Sequence, residues 1–345
     1  MALFLGLLIF SFILTCVLIV PFIDLLYKLH LTHHKPIVST IKEESEALTR
    51  IQLQQKSKFG TPIGGGILII SLVTVVFIIA ITFFSSLGII ISRNYQLNQE
   101  LNILFFTFIS FGLLGLYDDL VKIFNITNFQ KKDTVNLRKN VLILFLSFVI
   151  SLMLYFNLHI QILNLPFVGI LNLSWLIIPF FTLIITFFTK AVDITDGLDG
   201  LAGGCLLISL LSFWAISLTS LDSVLSVFIS LWIGSLLAFL YFNVYPARIW
   251  LGNAGSLSFG ATLAVIGLLL GKSIVMVVIC LVFVLEALSQ ILQILYLAFT
   301  HKKLFTVTPL HYLLQNIGWP EPKIVQRLWL VGILASILGL WLTEF

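Results

Sequence analysis

The chain has 345 residues, 59% of them hydrophobic and only 10% charged. A mean hydropathy of +1.12 excludes a water-soluble globular domain of this size. The formal net charge of +4 is small and gathered on one side of the predicted spans, which points to membrane lipid and away from nucleic acid.

A helix needs about 20 apolar residues to cross a bilayer. Ten runs qualify in chain order: 2–27, 64–88, 101–117, 140–157, 172–189, 201–219, 223–242, 255–271, 274–299 and 325–343. The first lacks a basic leader and a small-residue cleavage site, so it reads as a retained span. The fold class expected is therefore an all-α polytopic membrane protein, one domain over 1–345. Cytoplasmic loops collect Lys and Arg. With the N-terminus outside, seventeen of the nineteen basic residues fall on the inside; only Arg93 and Lys272 fall outside. An even span count returns the C-terminus to the outside as well.

Cys16, Cys205 and Cys280 lie far apart in apolar runs without CxxC spacing, which predicts buried small side chains and no disulfide or zinc site. His30, His33 and His34 have zinc-like spacing but no accompanying acid or thiol.

The polar motifs collect on the inside in the same chain order. "KFGTPIGGG" (58–66) comes first, then "GLYDDLVK" (115–122), where Asp118 and Asp119 are adjacent and Lys122 follows one turn on. Adjacent carboxylates point apart on a helix, so one is free to hold a cation while the other acts as base; a solvated helix end is the plainer alternative. In "KAVDITDGLDGLAGG" (190–204), Asp193, Asp196 and Asp199 recur every third residue and would stack on one side of a helix. Gly197 and Gly200 between them would let a ligand approach the backbone. Acids beside a glycine-flanked helix start fit a metal-dependent nucleotide site, with a simple capping series as the competitor.

"NVYPARIWLGNAGSLSFG" (243–260) offers Trp250 for stacking on a base or for an interfacial belt, and a tight loop at 252–256 before the eighth span. Asn253 there supplies an amide oxygen but no charge. Glu286, Ser289 and Gln293 share one face of the ninth span, as interhelical glue or as a site wall. His311, after Pro309 in the last inside loop, suits phosphate contact or proton transfer. The outside segments, 158–172 included, read as plain connectors.

These residues resemble one family over nearly the whole chain: the polyprenyl-phosphate N-acetylhexosamine-1-phosphate transferases, and within them the phospho-N-acetylmuramoyl-pentapeptide transferases. "GTPIGGG" is similar to the family's GTPTMGG, "DDLVK" to DDYLK, "GNAGSL" to GDxGSL, and "TPLHYLLQNIGWPEPKIVQRLW" to PLHHHFExxGWPExKVVxRFW, with "DGLDGLAGG" nearly unchanged. The resemblance implies Mg²⁺-dependent transfer of phospho-MurNAc-pentapeptide from its UDP carrier to undecaprenyl phosphate, releasing UMP and forming lipid I on the cytoplasmic face of a bacterial inner membrane. A homodimer is a further partner it leaves open.

By the same resemblance Asp118, Asp119 and His311 are catalytic. Lys58 (with Lys56 as second choice), Lys122, Asp196, Gly197, Leu198, Asp199, Asn243 and Trp250 contact substrate. Asn253 stands where the family has its metal-binding aspartate, Asp193 and Lys190 where it has asparagines, and Tyr312 and Leu313 where it has histidines. Either Asp193 restores the carboxylate missing at Asn253, so that both hold the metal, or the site has changed donor or lost turnover and serves as a silent lipid- or nucleotide-binding homologue.

Overall fold

A computed structural model describes residues 1–32, 58, 60–86, 95–124, 132–167 and 169–344. Lys56, His33 and His34 lie outside the described residues. Among those described, twelve α-helices, a short 3₁₀ helix (Ser174–Leu176) and one two-stranded sheet account for the regular structure.

The helices are α1 (Ala2–Lys28), α2 (Gly65–Ser86), α3 (Leu97–Ile123), α4 (Lys132–Phe156), α5 (Ile177–Thr195) and α6 (Leu201–Thr219). They continue as α7 (Ser223–Asn243), α8 (Gly252–Leu269), α9 (Ser273–Ile279), α10 (Leu281–Thr300), α11 (Leu310–Asn316) and α12 (Glu321–Leu342). Ten of them are long and apolar enough to cross a membrane. The chain is a multi-pass membrane protein.

α7 and α8 form the centre, each with 89% of its best apolar window buried. α3, α5 and α2 pack on α8, while α1, α6 and α2 pack on α7. Lipid tails are as apolar as leucine, so helices in a bilayer associate through close approach and hydrogen bonds. Glycine provides the approach here. A Cβ on Gly115 of α3 would lie 2.0 Å from the Asn253 carbonyl oxygen, one on Gly66 of α2 2.2 Å from the Gly255 backbone, and one on Gly260 2.6 Å from the Phe188 carbonyl oxygen of α5. Ser258 donates to the Phe108 carbonyl at 2.6 Å, adding the hydrogen bond. Around it Phe108, Phe228, Trp232 and Phe259 interlock with ring centroids 5.0–5.9 Å apart.

Three local expectations are corrected. The ninth run is not one helix: it breaks at Cys280 between α9 and α10, and only α10 is long enough to span. Residues 158–172 are more than a connector, because β1 (Ile162–Leu165) and β2 (Gly169–Asn172) pair antiparallel there, with Gly169 at φ +102° opening the second strand. Residues 252–256 are no loop; they are the first turns of α8.

Candidate active site

The ten spans bring ten helix ends to one end of the bundle: the C-terminal ends of α1, α3, α5, α7 and α10 and the N-terminal ends of α2, α4, α6, α8 and α12. Antiparallel alternation of the spans requires this, and it brings together motifs separated by more than 200 residues.

Asp118 and Asp119 sit in the last turns of α3 and point to different neighbours. Asp119 accepts the Asn253 N–H on Oδ1 and the Ala254 N–H on Oδ2, both at 3.0 Å, so it caps the otherwise unpaired start of α8. Gly252 makes that approach possible, with φ +78° and a Cβ position 2.8 Å from the Asp119 carboxylate. Asp118 receives three donors on Oδ2: Lys122 Nζ at 3.0 Å, Lys139 Nζ at 3.0 Å, and the Asn253 side-chain amide. A carboxylate only accepts, so the NH₂ side of Asn253 faces it. The oxygen expected for a metal is turned away.

Lys139, in α4, has its second acid in Asp193 Oδ2 at 3.1 Å. Ser256, in the first turn of α8, donates to Asp193 Oδ1 at 3.1 Å. Asp193 and Asn253 are thus drawn to one cluster, and the cation between Asp118 and Asp193 is Lys139. In the sequence Lys139 registers only as one of the basic residues on the inner side.

The three acids do not stack along one helix. α5 ends at Thr195, Asp196 is its C-cap, and the turn through Gly197 and Leu198 delivers Asp199 to the far side before α6 starts, with Gly200 at φ +80°. Asp193 therefore belongs to the lysine cluster and Asp199 to a second pocket. Half-buried Asp196 lies between, and burial, with Asp193, Asp119 and Asp199 nearby, pushes its carboxyl up to about 8. Leu198 is buried and packs the turn.

In the second pocket Asp199 accepts Lys58 Nζ at 2.9 Å and Trp250 Nε1–H at 3.2 Å on Oδ1, and the Ala247 N–H at 3.0 Å on Oδ2. Trp250 is therefore a wall of the site. Glu321, the acid of "GWPE", pairs with Lys58 and accepts the Asp199 N–H at 2.7 Å. The GWPE segment that carries part of the family resemblance contains it, although Glu321 is not among the site residues read from the sequence. Asn243 accepts the Gly200 N–H at 3.2 Å and donates to the Ile249 carbonyl at 2.9 Å, fixing the pocket's rim. The glycine-rich segment closes it from the other side, since Gly64 and Gly65 donate to the Trp250 carbonyl and Gly66 to that of Leu251.

His311 is fully buried, with Nδ1 at 2.9 Å from Glu286 Oε2. Among the described residues its Nε2 has no hydrogen-bond partner, and it faces Gly197, where a Cβ would lie 2.4 Å away. Gly197 thus makes room for His311, not for a ligand at the backbone. Glu286, Ser289 and Gln293 anchor the last inner loop to α10: Ser289 accepts the Leu310 N–H and Gln293 those of Leu304 and Phe305.

Magnesium takes hard oxygens in near-octahedral geometry, usually one or two carboxylates plus substrate phosphates. The residues present do not fit it. Both oxygens of Asp119 and of Asp193 are occupied by donors, Asp118 Oδ2 faces three more, and Asn253 presents NH₂. Among the described residues no group of three or more His, Cys, Asp or Glu is arranged to hold a metal ion.

The sequence profile of glycosyl transferase family 4 matches residues 101–271. A phospho-N-acetylmuramoyl-pentapeptide-transferase of Limosilactobacillus fermentum is 35% identical over 82% of this chain and 83% of the relative. One from Oceanobacillus iheyensis is 33% identical over 96% and 95%, and one from Staphylococcus aureus 31% over 83% and 86%.

Proposed function

The chain belongs to the phospho-N-acetylmuramoyl-pentapeptide-transferase family, and from that membership and the inner-end geometry we propose transfer of phospho-MurNAc-pentapeptide from UDP to undecaprenyl phosphate. It is a transferase, and its place is glycosyl-1-phosphate transfer in peptidoglycan synthesis. The inner end faces the cytoplasm, where a soluble nucleotide donor meets an acceptor held in the bilayer.

One observation carries this reading: Lys139, Asp118, Asp193, Asp196, Asp199 and Lys58 run without interruption from a lysine cluster to an aromatic-walled pocket. That is the layout a nucleoside diphosphate sugar requires. The nucleoside occupies the Trp250 and Asp199 pocket. The diphosphate lies along the turn, where Asp196, neutral at pH 7, donates a hydrogen bond instead of repelling it. Lys122 and Lys139 meet the phosphate charge, since phosphoryl transfer needs positioning and neutralisation more than covalent help.

Asp119 is committed to the α8 start, so Asp118 takes the proton of the lipid phosphate. The freed oxygen attacks the sugar-bearing phosphorus and forms a new P–O–P link. The bond from that phosphorus to the bridging oxygen breaks, and UMP leaves. Glu286 holds the His311 ring against Gly197, which fixes the turn carrying Asp196 and Asp199.

Asn253 keeps a second reading in play, in which the donor sugar differs or turnover is lost. The test is UMP release by the purified protein with undecaprenyl phosphate and either UDP-MurNAc-pentapeptide or UDP-GlcNAc. Release from the first supports the proposal; release from UDP-GlcNAc alone changes the donor. Silence with both donors, in wild type and Asn253→Asp alike, overturns it.

A further inference from the structure

We infer that this enzyme carries its own cation at the reacting centre: the Lys139 ammonium, clamped between Asp118 and Asp193, takes the position of a divalent metal and makes transfer independent of Mg²⁺. The inference rests on the transferase reading above.

The geometry is that of a filled cation site. Lys139 Nζ lies 3.0 Å from Asp118 and 3.1 Å from Asp193, with its side chain only 10% exposed. Two acids from α3 and α5 thus converge on one ammonium from α4, the arrangement a bridging metal would otherwise impose. Lys122 adds a second positive charge 3.0 Å from Asp118. Together the two lysines bring the charge of one divalent ion. Lys190, three residues before Asp193, adds a further field at the same acid.

The substitution at 253 completes the exchange. An aspartate there would place another carboxylate against Asp118, and like charges at such a distance need a cation of higher charge between them. Asn253 instead donates to Asp118, which a carboxylate cannot do. With Asn253 and Lys139 both donating, Asp118 is neutralised from within the chain. An ammonium has three protons. Two lie toward Asp118 and Asp193, and the third is left for a phosphate oxygen of the substrate.

The test uses the full chain in detergent, with Mn²⁺ binding read by electron paramagnetic resonance and UMP release assayed in EDTA or in Mg²⁺. Wild type is expected to bind no Mn²⁺ below millimolar concentration. Lys139→Met, which leaves two buried acids without their cation, and Asn253→Asp, which adds an acid, are each expected to tighten Mn²⁺ binding by at least about tenfold. If Lys139→Met fails to fold, Asn253→Asp decides. Undiminished UMP release in EDTA supports the proposal. Micromolar Mn²⁺ binding by wild type, or release that requires Mg²⁺, overturns it. Absent turnover in both conditions counts against the transferase reading alone, because the Mn²⁺ measurement needs no turnover.

Discussion

Asp118 and Asp119 are neighbours in sequence with separate tasks in the fold. Asp119→Asn replaces one accepting oxygen at the start of α8 and leaves a backbone N–H short of its partner, which costs about 1–3 kcal/mol. Asp118→Asn removes the proton acceptor beside Lys139 and is expected to lower kcat by about 10²–10⁴, and also to lower the melting temperature because a buried ammonium loses one of its two acids. Turnover and thermal melts of both variants check this; equal loss of kcat in the two would refute the division of labour. Asp196 gives a second prediction. Its raised value means the folded chain keeps a proton that the unfolded chain releases near 4. That contribution to stability is full below about 4 and is lost as pH rises through about 8. A protonated-carboxyl infrared band should therefore be present at pH 6, vanish above about pH 9, and be missing from Asp196→Asn at both. Adjacent or periodic acids are visible in a sequence because a polar run interrupts apolar ones. Lys139 was not, since a single charge near a span end looks the same whether it faces water or folds inward; Glu321 lay inside a recognisable motif but carried no sign of its role.

Glycines set how closely the elements approach, and this is where spacing alone misleads. Asp193, Asp196 and Asp199 have helical spacing, yet α5 ends at Thr195 and the turn through Gly197 and Leu198, closed by Gly200 in the left-handed region before α6, splits the acids between two pockets. The ten helix ends were legible because apolar run lengths are set by the bilayer. The break at Cys280 was not, since nothing in "VVICLVF" interrupts a helical pattern. Gly66 provides the test at this scale. A methyl there would meet the Gly255 backbone at 2.2 Å, and backbone cannot rotate away. Gly66→Ala is expected to destabilise by about 1–3 kcal/mol and to reduce turnover, since α2 and α8 frame the pocket. Gly6→Ala, with nothing within 4 Å, is the control. Equal melting temperatures for the two would remove the claim that this contact is tight.

At the scale of the whole molecule, the charge asymmetry of the sequence and the clustering of helix ends are independent statements of one topology. Lys58, Lys122, Lys139, Lys190 and Lys323 all attach to the end where the acids gather. At the opposite end, Tyr95 donates to the Leu269 carbonyl, Lys272 donates to that of Thr343, and Asp222 accepts the Leu225 N–H at the start of α7. A membrane potential and anionic lipid favour basic residues on the cytoplasmic side, so the acids and their lysines should lie there with the nucleotide. Single cysteines test this in a background where Cys16, Cys205 and Cys280 are replaced. Leu221, 71% exposed in the turn between α6 and α7, marks the outer end, and exposed Lys302, just after α10, marks the inner end. An impermeant maleimide on intact cells should label Leu221→Cys at once and Lys302→Cys only after lysis. The opposite pattern would invert every span and put Asp118 and Lys139 where no cytoplasmic nucleotide reaches them. Labelling of both in intact cells would break the even alternation on which the assembled site depends.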